Sequence, residues 1–251
     1  MIRPLLFNHN VGSIDAFTTE RGAADSVSAY SEFNCCDYVG DAEAHVEACR
    51  HRLSELIGAS AIVTARQTHS ANVAVVESVT AEPLMGVDAL VTRLADVAIG
   101  VFTADCVPIL MCDPVSGVIA AVHAGWRGTV AGIVGKAVEA MAGIGAVRTR
   151  IEAVVGPSIC QDCFEVGEEV VAEFALNGFS LNTIVKRNSA TQKAHIDLAE
   201  ANRSLLADAG VPAANIALSG ICTKCQPQRF FSARVLGINS GRVLTGIIRR
   251  G

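Results

Sequence analysis

"AVHAGWRGTV" (residues 121–130) sets the chain's one tryptophan against an arginine, brackets the pair with Gly125 and Gly128, and carries His123 just ahead of them. An apolar run at 118–122 leads in, and "TVAGIVGKAVEAMAG" (129–143) leads out with apolar residues at helical spacing. The pattern reads as a strand, a glycine turn and a helix over about 129–141. His123 closes the strand and Arg127 stands at the helix start, a junction where side chains can face a pocket.

Outward from that junction the chain continues in short apolar runs. "AFTTE" (16–20), "AIVTARQ" (61–67), "NVAVVES" (72–78), "ALVTR" (89–93), "VAIGVFTAD" (97–105), "VPILMCD" (107–113), "IEAVVGP" (151–157), "NIALSG" (215–220) and "RVLTGIIR" (242–249) read as strands. Helical spacing marks 42–57, with Asp41 as N-cap and Gly58 as stop, 164–175, and 197–210, with Asp197 as cap and Gly210 as stop. Residues 21–41 are polar and loop-like. Strands and helices alternate without a regular βαβ rhythm, and no linker or repeat interrupts them. The expectation is α+β: one compact domain over 1–251, its mixed sheets flanked by helices.

Composition bounds the partners. The 251 residues are 51% hydrophobic and carry a formal net charge of −5. No lysine–arginine cluster exceeds a pair, which argues against nucleic acid. The N-terminal stretch lacks the apolar core of a signal peptide, and the greasiest run, 97–112, is broken by Asp105 and Pro108 and is too short to span a membrane. A cytoplasmic protein is expected, a monomer or small homo-oligomer with small-molecule partners. Nine cysteines in such a chain are expected as buried apolar residues, metal ligands or reactive thiols rather than disulfides.

Three metal-competent residues end three different apolar runs: His69, Cys106 and His123. Two imidazoles and a thiolate suit zinc, with copper the alternative, and three protein ligands leave a fourth position for substrate or water. Each residue also has a plainer reading, as a hydrogen-bonded structural histidine or a buried inert cysteine, and periodicity alone does not bring the three together. A second constellation is the pair "CQDC" (Cys160, Cys163) and "CTKC" (Cys222, Cys225). Two such knuckles make structural zinc sites at separations of about 15–20 residues; here the separation is far longer and only a folded sheet would close it.

"RQTHSANV", "TADCVPILMCD", "AVHAGWRGTVAGI", "VVGPSICQDCFEVGEEV" and "CTKCQPQRFFSARVLGINSGR" occur in one order and together span nearly the whole chain. In these motifs it resembles the YfiH family, also called the laccase-domain or multicopper polyphenol oxidoreductase family, whose members are viewed as purine nucleoside phosphorylases. The resemblance implies layered sheets with outer helices, and one catalytic metal, zinc, on His69, Cys106 and His123. It further implies phosphorolysis of adenosine, inosine, guanosine and methylthioadenosine, with deamination of adenosine at the same site. The chain departs from the family pattern at "TTERGAADSVS", where Arg21 is displaced, and at Arg234–Val235, which replaces a frequent arginine pair. Cys222 matches a recurrent family cysteine; Cys163 and Cys225 do not.

For that chemistry Arg127 is the expected phosphate ligand, with the N–H groups around Gly128 and Thr129 at a helix start drawing anions. Trp126 would cover the base or pack the rim. Asp105 is expected to move protons or to orient a ligand histidine, and Asp88 and Asn34 stand at family positions that would contact substrate or cap turns. Two other readings stay open. One is a copper phenol oxidase, against which stand six histidines with no His-x-His pair. The other is a non-catalytic module with a fourth protein ligand such as Cys222.

Overall fold

A computed structural model describes residues 2–9, 11–23, 29–79 and 84–251. The strands, in chain order, are β1 (Ile2–Leu5), β2 (Ile14–Thr19), β3 (Ala61–Val63), β4 (Ala65–Arg66), β5 (Val73–Val76), β6 (Leu84–Met85), β7 (Ala89–Thr92) and β8 (Val97–Thr103). They continue with β9 (Val107–Asp113), β10 (Val118–Ala124), β11 (Glu152–Val155), β12 (Glu165–Val166), β13 (Val185–Arg187), β14 (Ala194–Ile196), β15 (Ile216–Leu218) and β16 (Val243–Arg249). The helices are α1 (Glu43–Ile57), α2 (Trp126–Val130), α3 (Ile133–Gly143), α4 (Glu168–Leu176), α5 (Leu181–Ile184), α6 (Leu198–Asp208) and α7 (Ala233–Leu236).

Two large sheets dominate, a five-stranded one in the order β1-β2-β16-β8-β3 and a six-stranded one in the order β15-β11-β9-β10-β7-β5. Both are mixed: β3 runs parallel to β8, β5 to β7 and β11 to β15, while the remaining pairs within them are antiparallel. The period of two along each strand divides its side chains between layers. On β10, Ile119 and Ala121 join Leu90, Ile99, Leu110 and Ile247 in the core between the sheets. Val118, Ala120 and Val122 point the other way, onto Ile133, Val134 and Val138 of α3 and Leu206 of α6. Phe17, Ala98 and Leu244 turn outward under Cys49, Leu53 and Ile57 of α1. The result is helix, sheet, sheet, helix: the layered α+β arrangement expected from the sequence.

His123 shares the phase of Ile119 and Ala121, so its side chain belongs to the inter-sheet face at the end of β10. The chain crosses from the five-stranded to the six-stranded sheet twice near this end, once between β3 and β5 and once between β8 and β9. His69 lies on the first crossing and Cys106 on the second.

Several boundaries differ from the sequence reading. The helix expected over 129–141 is two helices, α2 and α3, parted at Gly132, whose φ of 73° is left-handed. Asp41 stands one residue too early to cap α1: Ala42 takes the N-cap place, and the carboxylate instead accepts from the Ala42 N–H and pairs with His45 and Asn34. Run 61–67 breaks into β3 and β4, and 164–175 yields the short β12 before α4. Strands β1, β6, β13 and β14 lie outside the runs read as strands from the sequence. Asp197 does cap α6, accepting from the Glu200 N–H at 2.9 Å, and Gly58 closes α1 in a left-handed conformation. Of the polar stretch 21–41, residues 24–28 lie outside the described residues. Among the described residues no helix is long and apolar enough to cross a membrane.

Candidate active site

Asp88 organises the site. Its carboxylate accepts from three consecutive backbone N–H groups, those of Thr68 (3.2 Å), His69 (3.0 Å) and Ser70 (2.8 Å), and from the Ser70 hydroxyl (2.6 Å). That grip holds His69 at a φ of 59°, a left-handed conformation costly for a residue with a side chain. The same carboxylate stands 2.8 Å from His123 Nδ1. Burial works against its ionisation, yet the bonds from His123 and Ser70 hold the Asp88 carboxyl well below the usual carboxylate range. An ionised Asp88 accepts a hydrogen bond from Nδ1–H, which leaves His123 Nε2 as the free nitrogen.

Cys106 enters from the second crossing, directly after Asp105, whose φ is 89°. Its Sγ lies 3.8 Å from His69 Nε2, and the two imidazoles meet edge-on with centroids 4.8 Å apart. The donor atoms of His69, Cys106 and His123 all fall within 4.8 Å of one another. A tetrahedral ion with bonds of about 2.0–2.3 Å needs donors about 3.3–3.8 Å apart, so small side-chain shifts suffice and the set fits a zinc or copper ion. Burial alone would raise the Cys106 thiol, but His123 and His69 bring it down to about 6, towards the thiolate that metals bind. Against its own burial, His123 is pushed up by the Cys106 and Asp88 charges.

The glycines around Trp126 serve this packing. A Cβ at Gly125 would stand 2.8 Å from His69 Cδ2 and 3.1 Å from Cys106 Sγ, and one at Gly128 would stand 3.0 Å from the Ser70 carbonyl oxygen. A side chain at Gly125 would have to displace a donor residue, and one at Gly128 would press on the Ser70 backbone.

The three donors border a cavity of about 340 Å³, within the range of small-molecule sites, whose walls include Tyr38, Gln67, Phe102, Arg234 and Arg242. Gln67 is fixed by two bonds to the Phe102 backbone, at 2.8 and 2.7 Å. Arg234 donates to the Glu165 carbonyl (2.9 Å) and lies over the Phe164 ring. Arg242 donates to the carbonyls of Ile238 (2.7 Å) and Gly241 (3.0 Å). A larger cavity of about 700 Å³ beside β1, β2 and α1 is lined by Leu6, Phe7 and Leu56. Neither metal-competent cluster of the described residues borders it.

The other expected residues take different places. Arg127 is exposed, stacks on Trp126 at 4.2 Å, and lines no part of this cavity; Trp126 packs against the core under α3. Helix α2 has only five residues, and of the N–H groups expected to draw an anion that of Thr129 is bonded to the Gly125 carbonyl. Asn34 is fully buried, donating to the Cys36 carbonyl and Asp41 and accepting from the Arg242 N–H. Asp105 borders the cavity, but Thr223 (2.7 Å), Ser232 (3.0 Å) and the Arg234 N–H (2.8 Å) occupy its carboxylate. It orients neither histidine; Asp88 does that for His123. The displaced Arg21 is buried, bonded to Ser31 and the Pro227 carbonyl at 2.7 Å each and set over the Phe231 ring, where it ties the N-terminal loop to residues 227–231. Cys222 is no fourth ligand here; it belongs to a separate group with Cys160, Cys163 and Cys225. Sequence reasoning passed over Gln67, Arg234 and Arg242. The first sits two residues before His69, and the second stands where the family pattern has an arginine pair.

The chain is 52% identical over 99% of its length, and 99% of the relative's, to adenosine deaminase RL5 of an unknown prokaryotic organism. It is 43% identical to a purine nucleoside phosphorylase of Bacteroides thetaiotaomicron, covering 94% of this chain and 92% of that one. The crystal structure of YlmD from Geobacillus stearothermophilus superposes with a TM-score of 0.86 at 31% identity, covering 96% of this chain and 93% of that one. The Neisseria meningitidis protein NMB0706 superposes with a TM-score of 0.89 at 29% identity, over 100% and 99%. With the family described as multi-copper polyphenol oxidoreductase laccase matching residues 15–250, and relatives alike along their full lengths, the chain belongs to that YfiH/laccase-like family.

Proposed function

We propose that the protein is a metal-dependent purine nucleoside phosphorylase, acting on adenosine, inosine, guanosine and methylthioadenosine, that also deaminates adenosine at the same centre. The observation that carries this reading is the convergence of His69, Cys106 and His123 at the border of a cavity with two arginines in its wall. The names of its relatives, adenosine deaminase and purine nucleoside phosphorylase, support it.

In phosphorolysis a phosphate oxygen bonds to the sugar's anomeric carbon as the bond to the purine nitrogen breaks, and the base leaves with a proton. Arg234 and Arg242 supply the fixed cationic wall that draws phosphate, in place of Arg127. Residues His69, Cys106 and His123 would hold the ion, zinc being preferred on this donor set. When bound, it supplies Lewis acidity and activates water near neutral pH. Asp88 keeps His123 in the ligating tautomer and His69 in its strained turn. Asp105 holds the Cys106 turn against the 223–234 segment, a positioning role.

Purified wild-type and His123→Ala proteins, assayed with inosine, with and without phosphate, test the reading. Phosphate-dependent hypoxanthine release that vanishes in the variant together with the metal held by His69, Cys106 and His123, seen as a drop in metal content per chain, is expected; unchanged release and unchanged metal content would refute it. Arg234→Ala should raise the KM for phosphate about 10-fold or more while the KM for inosine moves less. The family's description favours a second reading, a copper phenol oxidase. A blue, copper-loaded protein that oxidises phenols and ignores nucleosides would establish it.

A further inference from the structure

The two CxxC motifs, 160–163 and 222–225, lie far apart in the chain, yet the fold closes the distance. A parallel bridge joins Ser158 to Cys222, with the Ser158 N–H donating to the Ile221 carbonyl and the Thr223 N–H to the Ser158 carbonyl. This brings the four sulfurs of Cys160, Cys163, Cys222 and Cys225 within 4.8 Å of one another. Cys163 and Cys225 are 3.5 Å apart, and the Cys160 N–H donates across the gap to the Cys222 sulfur at 3.3 Å, a bond that favours the thiolate. Four sulfurs at about 2.3 Å from one zinc ion stand about 3.8 Å apart at the corners of a tetrahedron.

We propose that these four cysteines form a second, structural metal site that binds zinc as a closed tetrathiolate. Four protein ligands leave no position for substrate, and zinc has no redox chemistry, so its contribution is structural. The site lies beside the first one's scaffold. Thr223, inside the second knuckle and fully buried, donates to the Asp105 carboxylate at 2.7 Å, and the Ile159 N–H, just before the first knuckle, donates to the Asp105 carbonyl at 2.9 Å. Both knuckles therefore grip the strained residue that precedes Cys106. Zinc at the four thiolates fixes the two knuckles to each other and, through Thr223 and Ile159, fixes the turn that presents Cys106. Exposed Cys225 gives the ion access from solvent.

The test removes the first site and keeps the second. The double variant His69→Ala/His123→Ala, purified without chelator, should retain about one zinc per chain by elemental analysis. Exchanged for cobalt, it should show the sulfur-to-metal charge-transfer band and intense visible absorption of a tetrahedral tetrathiolate. Adding Cys163→Ser and Cys225→Ser to that background should abolish both signals. In a protein with both histidines intact, Cys225→Ser should lower Tm and accelerate zinc release to a chelator. A folded double variant with all four cysteines but no metal, iron in place of zinc, or a Cys163–Cys225 disulfide found by thiol counting under denaturing conditions would each overturn the proposal.

Discussion

At the scale of single residues, the site is set by how closely backbone and ligands approach. Gly125 lies against both His69 and Cys106, so Gly125→Ala must displace one of them. We expect a folded protein, by circular dichroism, with reduced metal content and kcat/KM lower by about 10-fold or more, since small misplacements of reacting groups carry that penalty. Asp88 is the residue on which the two histidines converge. In Asp88→Asn, one oxygen replaces an acceptor now serving three N–H groups, a hydroxyl and an imidazole, and the amide presents N–H where His123 needs an acceptor. Metal affinity should fall about 10–100-fold, measured by competition with a chromogenic chelator; an unchanged affinity would remove Asp88 from its positioning role. Arg127, prominent in the sequence, is bound to its neighbour Trp126, and Arg127→Ala is expected to leave the KM for phosphate nearly unchanged.

At the scale of elements, the turn between β9 and β10 shows a buried charge doing a backbone task. Asp113 is fully buried and accepts from the N–H groups of Val115, Ser116 and Val147 and from Arg150 at 2.8 Å. Burial alone would raise its pKa, but Arg150 and those N–H groups hold the carboxyl well below its ordinary value of about 4. The sign follows. A depressed folded pKa adds stability that is complete above the unfolded value and is lost as pH falls through the folded one. Asp113→Asn should therefore cost about 1–3 kcal/mol at neutral pH, and its stability should depend less on pH below about 4 than the wild type's. Urea melts at a series of pH values measure both, and parallel curves would contradict the assignment. The β10–α2–α3 junction teaches a different lesson about elements. Its apolar spacing predicts one helix, while Gly132 inserts a left-handed residue that turns α3 back along the sheet face.

At the scale of the whole molecule, the two sheets share one core and the site sits on its rim. Ile119 is fully buried between them, and Ile119→Ala should cost about 2–5 kcal/mol and lower Tm by roughly 5–15 °C. Its phase matches that of His123, so loosening the sheets should also weaken metal retention. Much of this architecture is readable from the chain. Alternation and apolar runs mark most long strands, Asp197 and Gly58 mark helix ends, and the layered class follows from mixed elements without a βαβ rhythm. Side chains His69, Cys106 and His123 stand out because each ends an apolar run. What local pattern determines is which residues lie on which face and where a run stops, since periodicity and capping act over a few residues. Which ends meet was decided only by the packed sheets. Crossings between them carry His69 and Cys106 to the end of β10, replace Arg127 with Arg234 and Arg242 at the cavity, make Asp88 the shared anchor, and join two cysteine knuckles across residues 164–221. Contacts between residues so distant in sequence are set by the pairing order of strands and by core packing, neither of which leaves a period in the chain.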